Sequence, residues 1–221
     1  TSEPIVTVIE DDSYLYTVQT EDIEGAPLKI TAPELPEWLS FTDNRDGPAI
    51  LEGIPGDPEV GEHPVLLEVS DGELTGTQSF TIRAENVNDA PILDNSGVMY
   101  LNPIDEDTPE KNNGGTRVAD IIVSSLLDDP ITDADNDAVE GIAVIVADSP
   151  NGKWQYNPYG EAIDYFLDFL KDMSEKNAVL LNSDAVIRFI PNLDENGSAE
   201  IVFRAWDQTQ GRNGDTDDDT I

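Results

Sequence analysis

The sequence predicts an all-β chain of two tandem Greek-key β-sandwiches, residues 1–92 and 93–221, the second with a short helical insertion near 161–173. Two observations carry this. Apolar and β-branched residues recur at period two in short runs, and turn-forming clusters separate the runs, the pattern of antiparallel sandwiches. Helical spacing is confined to one stretch, where Ile163, Phe166, Leu167, Leu170 and Met173 fall on one helix face.

In the first unit Ile5, Thr7 and Ile9 alternate with Val6 and Val8. Tyr14, Tyr16 and Val18 follow at period two, then Leu28 and Ile30. Val65, Leu67 and Val69 alternate against Leu66 and Glu68, and Phe80 and Ile82 against Thr81 and Arg83. Asp43-Asn44-Arg45-Asp46-Gly47-Pro48, Pro55-Gly56-Asp57-Pro58 and Asp71-Gly72 supply the turns between them.

The second unit repeats this order with other residues. Asp105-Glu106-Asp107 stands where Glu10-Asp11-Asp12 stood, and Ala205-Trp206-Asp207 answers Val69-Ser70-Asp71. Residues 141–147, 179–181, 186–190 and 199–205 read as strands. Trp38, Trp154 and Trp206 sit within apolar alternation and read as core. Tyr156 and Tyr159 flank Asn157-Pro158, a turn that exposes them, and tyrosine-rich loops favour recognition.

Charge excludes whole classes of function. The 221 residues hold 47 acids against 11 bases, a net charge of −36. Nucleic-acid binding through phosphates needs clustered Lys and Arg, and anionic membrane surfaces need the same. The longest apolar run, Ile142–Ala147, is too short to span a bilayer, so membrane insertion is not expected. Cysteine is absent, which removes disulfides, thiolate metal sites and cysteine nucleophiles. His63 is the single histidine, so neither a Ser-His-Asp triad nor a zinc site of the usual kind can be assembled. Carboxylate pairs can hydrolyse glycosides, but among 47 acids some pair always has a suitable separation. No enzyme is expected.

The acids are clustered. Positions 10–12, 105–110, 128–137 and 215–219 hold 16 of them in 24 residues. Loop clusters with Asn and Gly interleaved suit a hard cation, because calcium takes 6–8 oxygen ligands. Asp133, Asp135 and Asp137 alternate, a spacing that wraps three carboxylates around one ion in an irregular loop; the other reading is a solvated acidic turn. The tail Asp215-x-Asp217-Asp218-Asp219, with Asn213, reads equally as another site or as a disordered end.

Five motifs give the first unit a likeness. Leu35-Pro36-Glu37-Trp38-Leu39-Ser40-Phe41, Leu51-x-Gly53-x-Pro55, Gly61-x-His63-x-Val65, Val69-Ser70-Asp71-Gly72 and Asn86-Val87-Asn88-Asp89-Ala90-Pro91 occur in that order. Together they make residues 5–92 resemble the dystroglycan-type cadherin-like domain. The loop Glu21-Asp22-Ile23-Glu24-Gly25-Ala26 departs from the family's Asp-x-Asp-Gly-Asp. Residues 131–211 resemble modules of giant calcium-dependent RTX-type bacterial adhesins, through Ile131-Thr132-Asp133-Ala134-Asp135, Gly141-Ile142-Ala143-Val144, Gly152-Lys153-Trp154-Gln155-Tyr156, Arg188-Phe189-Ile190-Pro191 and Phe203-Arg204-Ala205-Trp206-Asp207-Gln208-Thr209-x-Gly211. Similar modules run on into a further strand, and the abrupt start at Thr1-Ser2-Glu3 is expected of a piece of something longer.

The resemblance implies several calcium ions, with Asn88 and Asp89 meeting Glu106, Asp133, Asp135 and Asp207; Asp107, Asp137, Asp215 and Asp217 are further candidate ligands. It implies a bacterial cell surface location, neighbouring domains of the same long chain, and a second unit that binds an extracellular peptide or protein ligand for adhesion or biofilm formation. A calcium on the loop Gln208, Thr209, Gln210, Arg212, Asn213 has room for a peptide's C-terminal carboxylate, with Tyr156, Tyr159 and 161–173 as the apolar wall. Two other functions remain open: a calcium-rigidified extender without a ligand, and a carbohydrate-binding module, the glycan being less favoured for want of an exposed aromatic array.

Overall fold

The computed structural model describes residues 2–44, 47–136, 138–160 and 164–217. They form two compact units that divide between Val87 and Asn88, so residues 88–92 belong to the second unit.

The first unit has seven strands: β1 (Thr7–Ile9), β2 (Tyr14–Val18), β3 (Lys29–Glu34), β4 (Leu39–Thr42), β5 (Ala49–Gly53), β6 (Gly61–Ser70) and β7 (Thr75–Glu85). They make a sandwich of two sheets, β1-β7-β6-β3 and β2-β5-β4. Pairing is antiparallel except between β1 and β7. Alternation sets the faces: in β2 Tyr14, Tyr16 and Val18 point inward while Leu15 and Thr17 face out. They meet Leu51 from their own sheet and Val65 and Ile82 from the other. The last three are fully buried, each such side chain contributing roughly 1.5–3 kcal/mol. The β6–β7 turn is fastened by Asp71, whose Oδ1 accepts the N–H of Glu73 at 2.8 Å and of Leu74 at 2.7 Å. Gly72 takes φ +98° there, a conformation that costs glycine nothing.

The second unit has ten short strands: β8 (Ile92–Leu93), β9 (Thr116–Arg117), β10 (Ile131–Thr132), β11 (Gly141–Val146), β12 (Gly152–Asn157), β13 (Leu167–Asp168), β14 (Ala178–Asn182), β15 (Val186–Pro191), β16 (Val202–Trp206) and β17 (Thr216–Asp217). Sheets β16-β11-β14-β17 and β13-β12-β15-β9 face each other, and β8 pairs with β10 apart from them. Ile142, Val144, Val179 and Leu181 of one sheet pack on Trp154, Tyr156 and Ile187 of the other. The opposite face of the first sheet carries a second cluster, Ala143, Ala178, Leu180 and Trp206. With both faces covered, β11 and β14 read as continuous apolar runs, not as alternation.

The expected helix is corrected. Residues 161–163 lie outside the described residues, and 164–173 form no helix. Leu167 pairs with Tyr156 and Asp168 with Gln155 in β13. The Phe169 ring packs 4.7 Å from that of Tyr156. Phe166 stacks under Arg188, its ring centroid 3.5 Å from the guanidinium carbon. Strand pairing and these contacts outweigh a helical spacing that leaves Leu170 46% exposed. Among the described residues the α-helix, α1, is instead Val118–Val123. Its β-branched residues favour strand, but burying Val118, Ile121 and Ile122 at i, i+3 and i+4 holds the turn in place.

Arg188 is the polar pin of this core. Only 6% exposed, it donates to Gln155 Oε1 at 2.9 Å, to the Asn113 carbonyl at 3.0 Å and to Glu110 Oε1 at 2.8 Å. A buried guanidinium is tolerated only with such a set of acceptors.

Candidate metal centre

Acidic side chains converge in each unit, in different ways. In the first, the chain leaves β1 through Glu10-Asp11-Asp12, with Asp11 in the left-handed region at φ 60°. The Asp11 N–H donates to the Pro55 carbonyl at 2.8 Å, which ties this turn to the segment holding Asp57. Glu10 is 4% exposed. One of its oxygens accepts the Val87 N–H; the other, Oε2, is buried with no hydrogen-bond partner. A carboxylate oxygen of Asp57 lies within 4.8 Å of one of Glu10. A buried carboxylate with an orphan oxygen beside a second acid is costly unless a cation joins them.

In the second unit Asp129, Asp133, Asp135, Glu140 and Asp207 line one cavity of about 280 Å³, with Pro91, Ile131 and Trp206 among its walls. None of the lining residues is Lys or Arg. Asp133 uses Oδ1 to accept the Asp135 N–H at 2.9 Å, and its Oδ2 is buried without a partner. Asp135 accepts the Asp89 N–H at 2.8 Å, and Asp207 accepts from the Asn88 amide at 2.8 Å. The 88–89 segment thus contacts Asp135 and Asp207. These carboxylates are spread around the cavity: among the described residues no three of their oxygens gather within 4.8 Å.

Ionisation follows these surroundings. Burial raises the Glu140 carboxyl above its usual 4.5, and the Asp129 charge raises it further. Burial also pushes Asp207 up, but hydrogen bonds from the Thr209 N–H, the Asn88 amide and the Thr209 hydroxyl outweigh it and hold the carboxyl below 3.8.

Other expected residues lie elsewhere. Asp107, at φ 57°, accepts the Asp194 N–H at 3.2 Å, and Glu106 lines a cavity with Asn151, Phe189 and Glu195. Neither lines the cavity of Asp133, which corrects the grouping of Glu106 with it. Asp137 lies outside the described residues. Asp215 is exposed, its backbone bonded to Leu180 and Arg212, and Asp217 is in β17 opposite Ala178. Glu10 and Asp57 were not singled out as ligands in the sequence. The signal available was the acid triplet at 10–12.

The expected ligand loop is largely committed to the fold. Gln208 donates to the Glu140 carbonyl at 2.8 Å, and Thr209 bonds Asp207. The Gln210 carbonyl accepts the Trp206 indole N–H at 2.8 Å. Asn213 donates to the Pro158 carbonyl and accepts the Asn182 N–H. Arg212 is exposed. Tyr159 is 61% exposed, but Tyr156 is 7% exposed and belongs to the core, a correction to its expected place on the surface. Its position in β12, facing Phe169, buries it. His63 likewise serves structure, its Nε2 within 2.5 Å of the Glu59 carbonyl and its ring 5.7 Å from that of Trp38.

No helix among the described residues is long and apolar enough to cross a membrane. No protein-family model matches the chain, and no curated protein matches it. Among solved structures, the chain is similar to endo-fucoidan hydrolase MfFcnA9 from glycoside hydrolase family 107, at 28% identity over 36% of this chain and 14% of that one, TM-score 0.30. It is also similar to endo-fucoidan hydrolase MfFcnA4 of the same family, at 18% identity over 87% of this chain and 28% of that one, TM-score 0.35. A variant of that enzyme matches at 18% identity over 91% of this chain and 27% of that one, TM-score 0.36. The chain thus spans 14% to 28% of these proteins, and likeness at this level says nothing of its activity.

Proposed function

We propose that this chain is a calcium-dependent segment of a large extracellular bacterial adhesin, stiffened by ions held in its acidic loops. The observation that carries the reading is the pair of buried, partnerless carboxylate oxygens, Glu10 Oε2 and Asp133 Oδ2, each beside further acids. Glu10 and Asp57 supply oxygens in the first unit; Asp133, Asp135 and Asp207 supply them in the second. Hard oxygen donors without His or Cys suit calcium, and bound calcium would neutralise part of the net charge of −36. The likeness to cadherin-like and RTX-type modules points the same way. The extender role is favoured over ligand capture by the 208–213 loop, because Gln208, Thr209 and Asn213 already spend their polar groups inside the fold.

Thermal unfolding of the full chain in calcium and in EDTA tests this. An ion bound only by the folded state at a hundredfold excess over Kd adds about 2.7 kcal/mol per site. Melting should therefore shift upward in calcium, and magnesium should substitute poorly. An identical melting temperature in calcium and EDTA would remove the proposal.

A further inference from the structure

The second unit holds a cavity of about 660 Å³ whose lining includes a buried donor that the fold leaves unused. Residues 99–104, 112–116 and 197–201 line it, together with Trp154 of β12 and Ile187, Arg188 and Phe189 of β15. The volume falls within the roughly 300–1,000 Å³ of small-molecule sites. Hydrogen bonds fix this wall before any ligand arrives. The Asn102 N–H donates to Thr116 Oγ1 at 2.9 Å, and the Asn113 side-chain amide to the Phe189 carbonyl at 2.7 Å. Gly115 seats the 112–116 turn on β15: at φ +83° a Cβ would stand 2.6 Å from the Ile187 carbonyl, so only glycine fits.

The polar groups of this lining fall into two sets. Those of Arg188 are committed, its guanidinium donating to Gln155, Glu110 and the Asn113 carbonyl. Others are free. Trp154 is 4% exposed, and its indole N–H is buried without a partner, which costs about 1–3 kcal/mol until an acceptor arrives. The side chains of Asn102, Asn112 and Ser198 are exposed and make no hydrogen bond among the described residues. The half-buried Phe189 ring, 4.8 Å from that of Trp154, and the side chains of Leu101 and Ile201 supply apolar surface. Charge in the lining is balanced: Arg188 and the exposed Glu200 are its only ionised residues.

We propose that this cavity binds an uncharged saccharide unit, with a sugar oxygen accepting the Trp154 indole N–H. The match is chemical. A pyranose carries hydroxyls around its edge and C–H groups on its faces, and the lining offers free amides and a hydroxyl beside an aromatic ring and aliphatic side chains. Other ligand classes fit less well. An anion meets no free cation here, because Glu110 already holds Arg188, and the net charge of −36 repels it. A cation finds Glu200 alone, with Arg188 in the same lining. A wholly apolar ligand leaves the indole N–H unpaired. The site shares no lining residue with the cavity of Asp133 and rests on no bound calcium.

The probes are the methyl glycosides of glucose, galactose, mannose and fucose, titrated to tens of millimolar into the full chain. Calcium is present throughout, so failure of the ion reading leaves this test intact. The readout is the indole N–H resonances of the three tryptophans, with Trp154→Phe identifying the Trp154 signal by its loss. At least one glycoside should shift that signal saturably and leave that of Trp38 in place. Trp154→Phe, which keeps a ring and removes the donor, should weaken binding at least tenfold by saturation-transfer titration. Gly114→Leu should weaken it as much with an unchanged melting temperature. Gly114 lines the cavity outside the left-handed region, and a Cβ there meets nothing within 4 Å, so a larger side chain takes up free space beside the ligand. No shift of the Trp154 signal with any glycoside overturns the proposal and leaves an ordered water as the acceptor. Wild-type binding by Gly114→Leu, or preference for a sulfated or amino sugar over its neutral parent, overturns it as well.

Discussion

The two units solve one packing problem with different margins. In the first, strict alternation sends one face of each strand into a single core, and β6 is flanked on both sides. In the second, one sheet is apolar on both faces, β16 is the edge strand of that sheet among the described residues, and a buried arginine ties β12 and β15 to the 110–113 loop. Their acids differ in step. Glu10 is nearly sealed beside Asp57, whereas the carboxylates of Asp133, Asp135 and Asp207 surround an open cavity. The second unit leans more on loops and polar contacts, so agents that spare apolar packing should separate the two.

Core truncation should give the largest effects and show whether the units unfold separately. Leu51→Ala and Ile187→Ala each remove a side chain with no exposure, at about 2–5 kcal/mol apiece. In urea melts followed by amide exchange, each variant should destabilise its own unit and leave the other within about 0.5 kcal/mol. Equal loss in both units would merge them into one cooperative body. Arg188→Met comes next. It strands Gln155 Oε1 and the Asn113 carbonyl and removes the partner of Glu110, which should cost the second unit about 3 kcal/mol. A loss below about 1 kcal/mol would show that the pin is dispensable.

Acidity sharpens the contrast further. In EDTA, Glu140 has a raised folded-state pKa, so the second unit gains stability as pH falls through it toward the ordinary value of 4.5. Asp207 is depressed, and so is Asp168 through the Gln155 hydrogen bond, despite burial, with help from Lys153. Their contribution is present above the ordinary Asp value of 3.8 and is lost as pH falls below it. Stability in EDTA should thus rise and then fall on acidification, while in calcium it should only fall, because protons compete with the ion. The same profile in both buffers would contradict this. Glu140→Gln is the smallest test. It removes a charge that partial burial and then the Asp129 carboxylate disfavour, so the calcium-free form should gain a few tenths of a kcal/mol at pH 7, discounted for solvent screening.

Much of this was legible in the sequence, for physical reasons that also explain the gaps. Tyr14, Tyr16 and Val18 announce their faces because a strand with one buried face must alternate. The turn at Asp71-Gly72 was legible because few residues accept a left-handed backbone. The 164–173 segment misled because Phe166, Phe169 and Leu167 are held by Arg188, Tyr156 and β12, long-range partners that local spacing does not encode. α1 was missed since Val118, Ile121 and Ile122 look like strand until the core beneath them is known. Asn88, Asp89, Asp133, Asp135 and Asp207 were legible as a group from acid clustering and resemblance. Glu106 was drawn in by the same clustering, although its loop folds toward Asn151 and Glu195.

Calcium titration calorimetry on the decalcified full chain, with Glu10→Gln and Asp133→Asn beside it, tests the central claim most directly. Wild type should bind calcium at more than one site. Each variant should lose one site or weaken it at least tenfold, as removing one charged ligand from a hard-cation site does. A chain that takes up no calcium at millimolar concentration, or variants that bind it as wild type does, would contradict the account.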